Sequence, residues 1–166
     1  MASVDNLQEA FAGESQANRK YLAFARKAEA DGYAQVARLF RAAAEAETIH
    51  AHAHFRVLGG VTDTTENLKA AIAGEGFEFQ EMYPKFLAEA QSEGNKPAEI
   101  TFKNALAVEE IHYGLYSDAL AAVEGGGDLP AAEIHVCPVC GNTVLGDVPD
   151  ECEICGVAGS KFIEIV

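Results

Sequence analysis

The chain has 166 residues, 49% of them apolar, and a formal net charge of −14. That length suits one domain of ordinary size, with or without a small appendage, and the apolar share allows a sizeable core. The acidity argues against a nucleic-acid partner, which needs a basic face, and no run approaches the roughly 20 apolar residues that would span a membrane.

The N-terminus "MASVDNLQEAF" has no basic segment followed by an apolar run, so no secretory signal is expected and the cytoplasm is the expected location. From Val4 to Ala30 the residues Leu7, Phe11, Glu14, Tyr21, Phe24 and Ala28 lie on or near one helical stripe. "DGY" ends that helix, with Gly32 suited to the left-handed position after it. A second helix is predicted from about Ala34 to Leu58, and "GGVTDTT" breaks the pattern. Asp63 and Glu66 stand in capping-box relation ahead of a third helix carrying Leu68, Ile72, Phe79, Met82 and Phe86. After "SEGNKP" a fourth helix follows, with Pro97 in its first turn and Phe102, Leu106, Tyr113, Tyr116 and Leu120 at helical spacing. Gly125, Gly126 and Gly127 end it. Four striped helices joined by short breaks predict a four-helix bundle over 1–130. Beyond a linker near Glu124–Ala132, short β-like runs ("EIHV", "TVL", "KFIEIV") predict a second, very small domain over 131–166.

Within the helices, some glutamates and histidines stand where apolar residues belong. Glu47 and His50 are three apart and share a helical face, as do Glu109 and His112. A single Glu-x-x-His is a common accident in a Glu-rich helix. Two copies are more telling, because the helix before each one also carries an acid in its stripe: Glu14 before the first, Glu75 before the second. The distance from Glu14 to Glu47 is 33 residues and that from Glu75 to Glu109 is 34, which points to two quasi-equivalent halves. One Glu from each of two helices and one Glu-x-x-His from each of the others is a known pattern, that of carboxylate-bridged di-iron and di-manganese bundles. Four clustered carboxylates repel one another unless divalent cations supply counter-charge. Glu78, beside Glu75, reads either as a surface acid or as a seventh ligand, and spacing alone does not separate it from Glu81. His52 and His54 read as exposed or packing histidines.

All four cysteines fall in the tail, as "CPVCG" (Cys137, Cys140) and "CEICG" (Cys152, Cys155), with eleven residues between the pairs. Without a secretory signal, such pairs read as metal ligands before disulfides. Four thiolates so arranged fit a tetrahedral site for zinc or a single iron. A domain this small needs such a staple to hold together.

Taken together, "AFAGESQANRKY", "EAETIHAH", "GEGFEFQEMYP", "VEEIHYGLY" and the terminal "CPVCG…CEICG" resemble the rubrerythrins over nearly the whole chain. The resemblance implies a mainly α fold: a ferritin-like four-helix bundle followed by a small rubredoxin-like β metal-binding domain. It implies a non-haem di-iron peroxidase that reduces hydrogen peroxide to water in oxidative-stress defence. Glu14, Glu47, His50, Glu75, Glu78, Glu109 and His112 would hold a di-iron centre of two irons, with Glu47 and Glu109 bridging. One iron would move between His50 when reduced and Glu78 when oxidised. Tyr21 and Tyr83 match family tyrosines near the site, with simple packing as the other reading of each. One iron on Cys137, Cys140, Cys152 and Cys155 would relay electrons singly, and zinc in its place would silence the relay. The linker is not expected to fold the relay back onto its own site. A homodimer or higher homo-oligomer, paired head-to-tail, is therefore expected to bring the relay of one subunit to the centre of another. Some relatives exchange helical pairs between subunits, for which "GGVTDTT" is the place here. The electron donor would be a rubredoxin or an NAD(P)H-dependent reductase. Two other function classes compete: ferritin-like oxidation of ferrous iron without peroxide turnover, which leaves the cysteines unexplained, and a structural module that recruits a partner through a zinc ribbon.

Overall fold

The break at "GGVTDTT" is where the molecule divides into two units, Met1–Thr62 and Asp63–Val166. The computed structural model describes residues 1–166, the entire chain. In the first unit, α1 (Ala2–Ala30) and α2 (Ala34–Val57) form an antiparallel pair. Gly32, at φ +86°, makes the left-handed turn that the sequence predicts for it. The two helices meet on alanines: Ala25, Ala28, Ala37, Ala44 and Ala51 are all buried. Such small side chains let the backbones come close, and Asn18 uses that closeness. Its amide donates to the Ala44 carbonyl and to Thr48 Oγ1, both at 2.8 Å, so one side chain pins α1 to α2 beside the Glu-x-x-His. Phe11 stacks on Phe55 at 4.8 Å between centroids. Gly60 lies against that ring so closely that a Cβ would fall 2.1 Å from it, which reserves the position for glycine.

The second unit opens with α3 (Thr64–Phe77), passes through a π-helical turn (Glu78–Met82) into α4 (Tyr83–Glu93), and returns along α5 (Lys96–Glu124). The expected capping box is half made. Asp63 accepts from the Glu66 N–H at 2.9 Å, but the Glu66 carboxylate pairs with Lys69 rather than reaching back. Gly94, at φ +69°, ends α4, Asn95 caps α5 by accepting from the Ala98 N–H, and Pro97 sits in the first turn. Three antiparallel strands complete the unit: β1 (Ile134–Val136), β2 (Thr143–Leu145) and β3 (Ile163–Glu164), in the order β2-β1-β3. Val136 pairs with Thr143 on one side and Ile163 on the other.

The π turn corrects the expectation of an unbroken third α-helix, and it accounts for the odd residue in the spacing of the two halves. Tyr21, Phe24, Phe40, Glu47 and His50 each have a counterpart 62 residues on: Tyr83, Phe86, Phe102, Glu109 and His112. Glu14 meets its counterpart Glu75 after 61. One extra residue therefore lies between Glu75 and Tyr83, and a π turn is how a helix absorbs one residue without losing its axis. The register on either side is kept closely. Tyr21, Phe24 and Phe40 have centroid separations of 6.3, 6.2 and 5.6 Å, and Tyr83, Phe86 and Phe102 have the same three.

Candidate metal centres

Each unit gathers two carboxylates and one imidazole. In the first, His50 Nδ1 lies 3.0 Å from Glu47 Oε2 and 3.9 Å from Glu14 Oε1. In the second, His112 Nδ1 lies 2.9 Å from Glu109 Oε2 and 4.0 Å from Glu75 Oε1. In both clusters the donor atoms lie within 4.8 Å of one another. Metal–nitrogen and metal–oxygen bonds of about 2.0–2.2 Å would set neighbouring donors roughly 3 Å apart, close to what the two Glu–His pairs show. The halves differ in access: the His50 side chain is 55% exposed and that of His112 is 25%.

The carboxylates lie close enough to shift one another's ionisation. Glu14 hydrogen-bonds to Glu47, which together with burial raises its pKa. Glu47 is correspondingly lowered by that bond and by the one with His50. Burial and the Glu109 charge push Glu75 up to about 7. Burial, then Glu109, also raises Glu78, and the Glu78 charge in turn acts on Glu75. Glu78 is half-buried in this field whereas Glu81, three residues on in the π turn, is exposed. The fold thus separates two acids that spacing left together. Tyr83 sits in the same field: burial and then the charges of Glu78, Glu109 and Glu75 hold its phenol protonated. Tyr21 packs in its aromatic triad. His52 is exposed, while His54 is close enough for its charge to bear on Glu14, an influence its spacing did not reveal.

In the tail the four thiols converge as free cysteines. Cys137 Sγ lies 3.6 Å from Cys155 Sγ, and Cys140 Sγ lies 3.6 Å from Cys152 Sγ. A disulfide would need about 2.0 Å; a tetrahedral metal with bonds of about 2.3 Å would need sulfurs close to 3.8 Å apart. The donor set fits a metal. Burial opposes ionisation of Cys152, yet the N–H groups of Cys155 and Ile154, with the Cys140 and Cys155 thiols, together bring the thiol to about 6. Burial pushes Cys140 and Cys155 the other way. The Asn142 side chain, fully buried, points its amide at Cys152 Sγ from 3.8 Å.

The cysteine module also touches its own helix. Gly141, at φ +90°, lies against Val108, and Thr143 Oγ1 lies 3.0 Å from His112 Nε2. This corrects the expectation that the linker keeps the tail from its own site. β2 packs on α5, and Thr143 reaches the histidine of the second cluster. Nothing in "CGNTV" signalled it, because a contact across 31 residues leaves no local pattern.

The family profile described as Rubrerythrin matches residues 5–120. The chain belongs to the rubrerythrin family. Rubrerythrin-2 of Clostridium acetobutylicum is 38% identical over 96% of this chain and 95% of its own length. Nigerythrin of Nitratidesulfovibrio vulgaris is 34% identical over 93% of this chain and 82% of its own length. Among solved structures, fully reduced, all-ferrous nigerythrin matches with a TM-score of 0.59 and 33% identity, over 98% of this chain and 86% of that one. These likenesses bear out the mainly α, ferritin-like class with its small rubredoxin-like end. This rubrerythrin thus carries carboxylate–histidine clusters of the di-iron type and a four-cysteine cluster. No helix is long and apolar enough to cross a membrane.

Proposed function

We propose that this rubrerythrin is a non-haem peroxidase that reduces hydrogen peroxide to water with electrons delivered through its four-cysteine site. The observation that carries the reading is the direct hydrogen bond between Thr143 of the cysteine module and His112 of a carboxylate cluster. A protein that only stored or oxidised iron would leave the four-cysteine site unexplained. The Glu14–Glu47–His50 and Glu75–Glu109–His112 clusters, with Glu78 acting on Glu75, would hold the irons of the di-iron type, and Cys137, Cys140, Cys152 and Cys155 would hold one more. Two ferrous irons at the carboxylate–histidine sites would supply the two electrons that, with two protons, convert one peroxide into two waters, and a tetrathiolate iron would pass electrons singly.

The chain's own residues prepare that chemistry. Glu14 and Glu47 share a hydrogen bond that lets the pair hold one proton, which metal binding displaces. Glu78, raised by burial and by Glu109, keeps a proton longer than a free glutamate, and so can hold one near the reacting oxygens. Tyr83 stays a neutral phenol and a hydrogen-bond donor. Tyr21 is its counterpart in the first unit. The His50 ring is largely exposed, whereas His112 is held by Thr143. A rubredoxin or NAD(P)H-dependent reductase as donor and a cytoplasmic location complete the proposal, with a homodimer or larger homo-oligomer whose head-to-tail pairing would add a second route, from one subunit's relay to another's centre, beside the contact within the chain.

The test is single-turnover. Anaerobically reduced protein given one equivalent of peroxide should consume it rapidly. In Cys152→Ser that first oxidation should survive while steady turnover from a donor to the tail fails. Slow consumption of peroxide beside fast oxidation of added ferrous iron by dioxygen would favour the ferritin-like alternative.

A further inference from the structure

We propose that Thr143 is a positioning residue: its hydroxyl fixes His112 in the Nε2–H tautomer, presenting Nδ1 to the metal, and ties that ring to the cysteine module of the same chain. Two bonds decide the direction. Thr143 Oγ1 lies 3.2 Å from the Gly141 carbonyl oxygen, an acceptor only, so the hydroxyl proton is committed there. The lone pair left on Oγ1 faces His112 Nε2 at 3.0 Å and must accept, which places the ring proton on Nε2. Nδ1 is then bare, and it is Nδ1 that points at Glu109 Oε2 and Glu75 Oε1. Two lone pairs 2.9 Å apart repel, and a cation between them is what makes the arrangement favourable.

The surroundings reinforce the bond. An apolar cleft of about 250 Å³ lies alongside it, with Leu68, Leu115, Ile134 and Leu145 in its walls. Its walls are mostly apolar and offer the bond few competing partners. From Thr143 the path runs through the Gly141 carbonyl to the backbone of Cys140, so one chain of bonds links a thiolate ligand to the imidazole. His50 shows what the ring looks like without this device: its Nδ1 has the same partners, but its ring is largely exposed and no hydroxyl stands behind it. Partners behind a ligating histidine set its tautomer and basicity, and losing one typically costs about 10–100-fold in metal affinity.

The inference rests on reading His112 as a metal ligand and not on peroxide chemistry, so its test needs no peroxide. Full-length protein, ¹⁵N-labelled in histidine and loaded with one equivalent of zinc to fill the cysteine site, is observed by ¹H–¹⁵N NMR near pH 8. His112 is assigned by its loss in His112→Gln. The expected result is an Nε2–H ring in the wild type, loss of that preference in Thr143→Val, and its return in Thr143→Ser. Cobalt(II) titration of the carboxylate sites should show affinity falling about 10–100-fold in Thr143→Val and recovering in Thr143→Ser. Valine keeps the β-branched shape that β2 needs, and retained zinc at the cysteines reports that the module is folded. An Nδ1–H ring in the wild type, or a valine variant with unchanged tautomer and cobalt affinity, overturns the proposal.

Discussion

The two halves of this chain start from the same plan and end with different freedom. Both pair a glutamate on one helix with a Glu-x-x-His on the next, and both set an aromatic triad at the same spacings. In the first half the histidine ring is 55% exposed and anchored only at Nδ1. In the second, the ring is held at both nitrogens, and the helix carries one extra residue and a further acid, Glu78. The comparison teaches that the duplicated halves share their ligand types while the surroundings of each histidine differ.

The largest effect should come from restoring that symmetry. Deleting Gln80 removes the extra residue of the π turn and returns Glu75 and Tyr83 to the spacing of Glu14 and Tyr21. The helix should survive with circular dichroism unchanged, while single-turnover peroxide consumption falls at least as far as in Glu78→Ala. If the deletion left the peroxide step intact, the π turn would have no part in it. Next come the histidines. His112→Gln should weaken cobalt binding more than Thr143→Val does, since it removes the ligand itself and not only its support. His50→Gln should cost less affinity but slow the return to the reduced state, read as the lag before a second turnover. Equal losses of affinity would erase the distinction between the halves.

The pH dependence should be smaller and specific to the second half. Glu75 titrates near 7 in the metal-free protein, above its unfolded value of 4.5. A raised pKa means the folded state holds the proton more tightly. Its contribution to metal-free stability is therefore full below about 4.5 and lost as pH rises through about 7. Metal must displace that proton, so uptake at the second cluster should weaken as pH falls below about 7, which isothermal titration across that range would reveal. Asn18→Ala should have the mildest outcome. It removes the bonds to Ala44 and Thr48, costs about 1 kcal/mol in chemical denaturation, and loosens the first half without touching a ligand.

Much of this was legible in the chain because ligands interrupt apolar stripes. Glu14, Glu47, Glu75 and Glu109 occupy positions where helical spacing demands an apolar residue, and the glycines and caps at Gly32, Asp63 and Gly94 stand where the helices end. The π turn was visible only as a discrepancy between 33 and 34 residues. Periodicity tolerates one residue of slippage, so the pattern of Phe79, Met82 and Phe86 still passed for an ordinary helix. Glu78 and Glu81 looked alike because burial, not spacing, tells them apart. The docking of Thr143 on His112 left no trace at all, since it depends on where a strand lands after a long connection.

At the level of the gene, the difference in helix length between the halves is three nucleotides. One more in-frame codon lies between those for Glu75 and Tyr83 than between those for Glu14 and Tyr21. A change that small could arise in one replication error. A helix with a π turn thus stands a single short insertion away from an unbroken one.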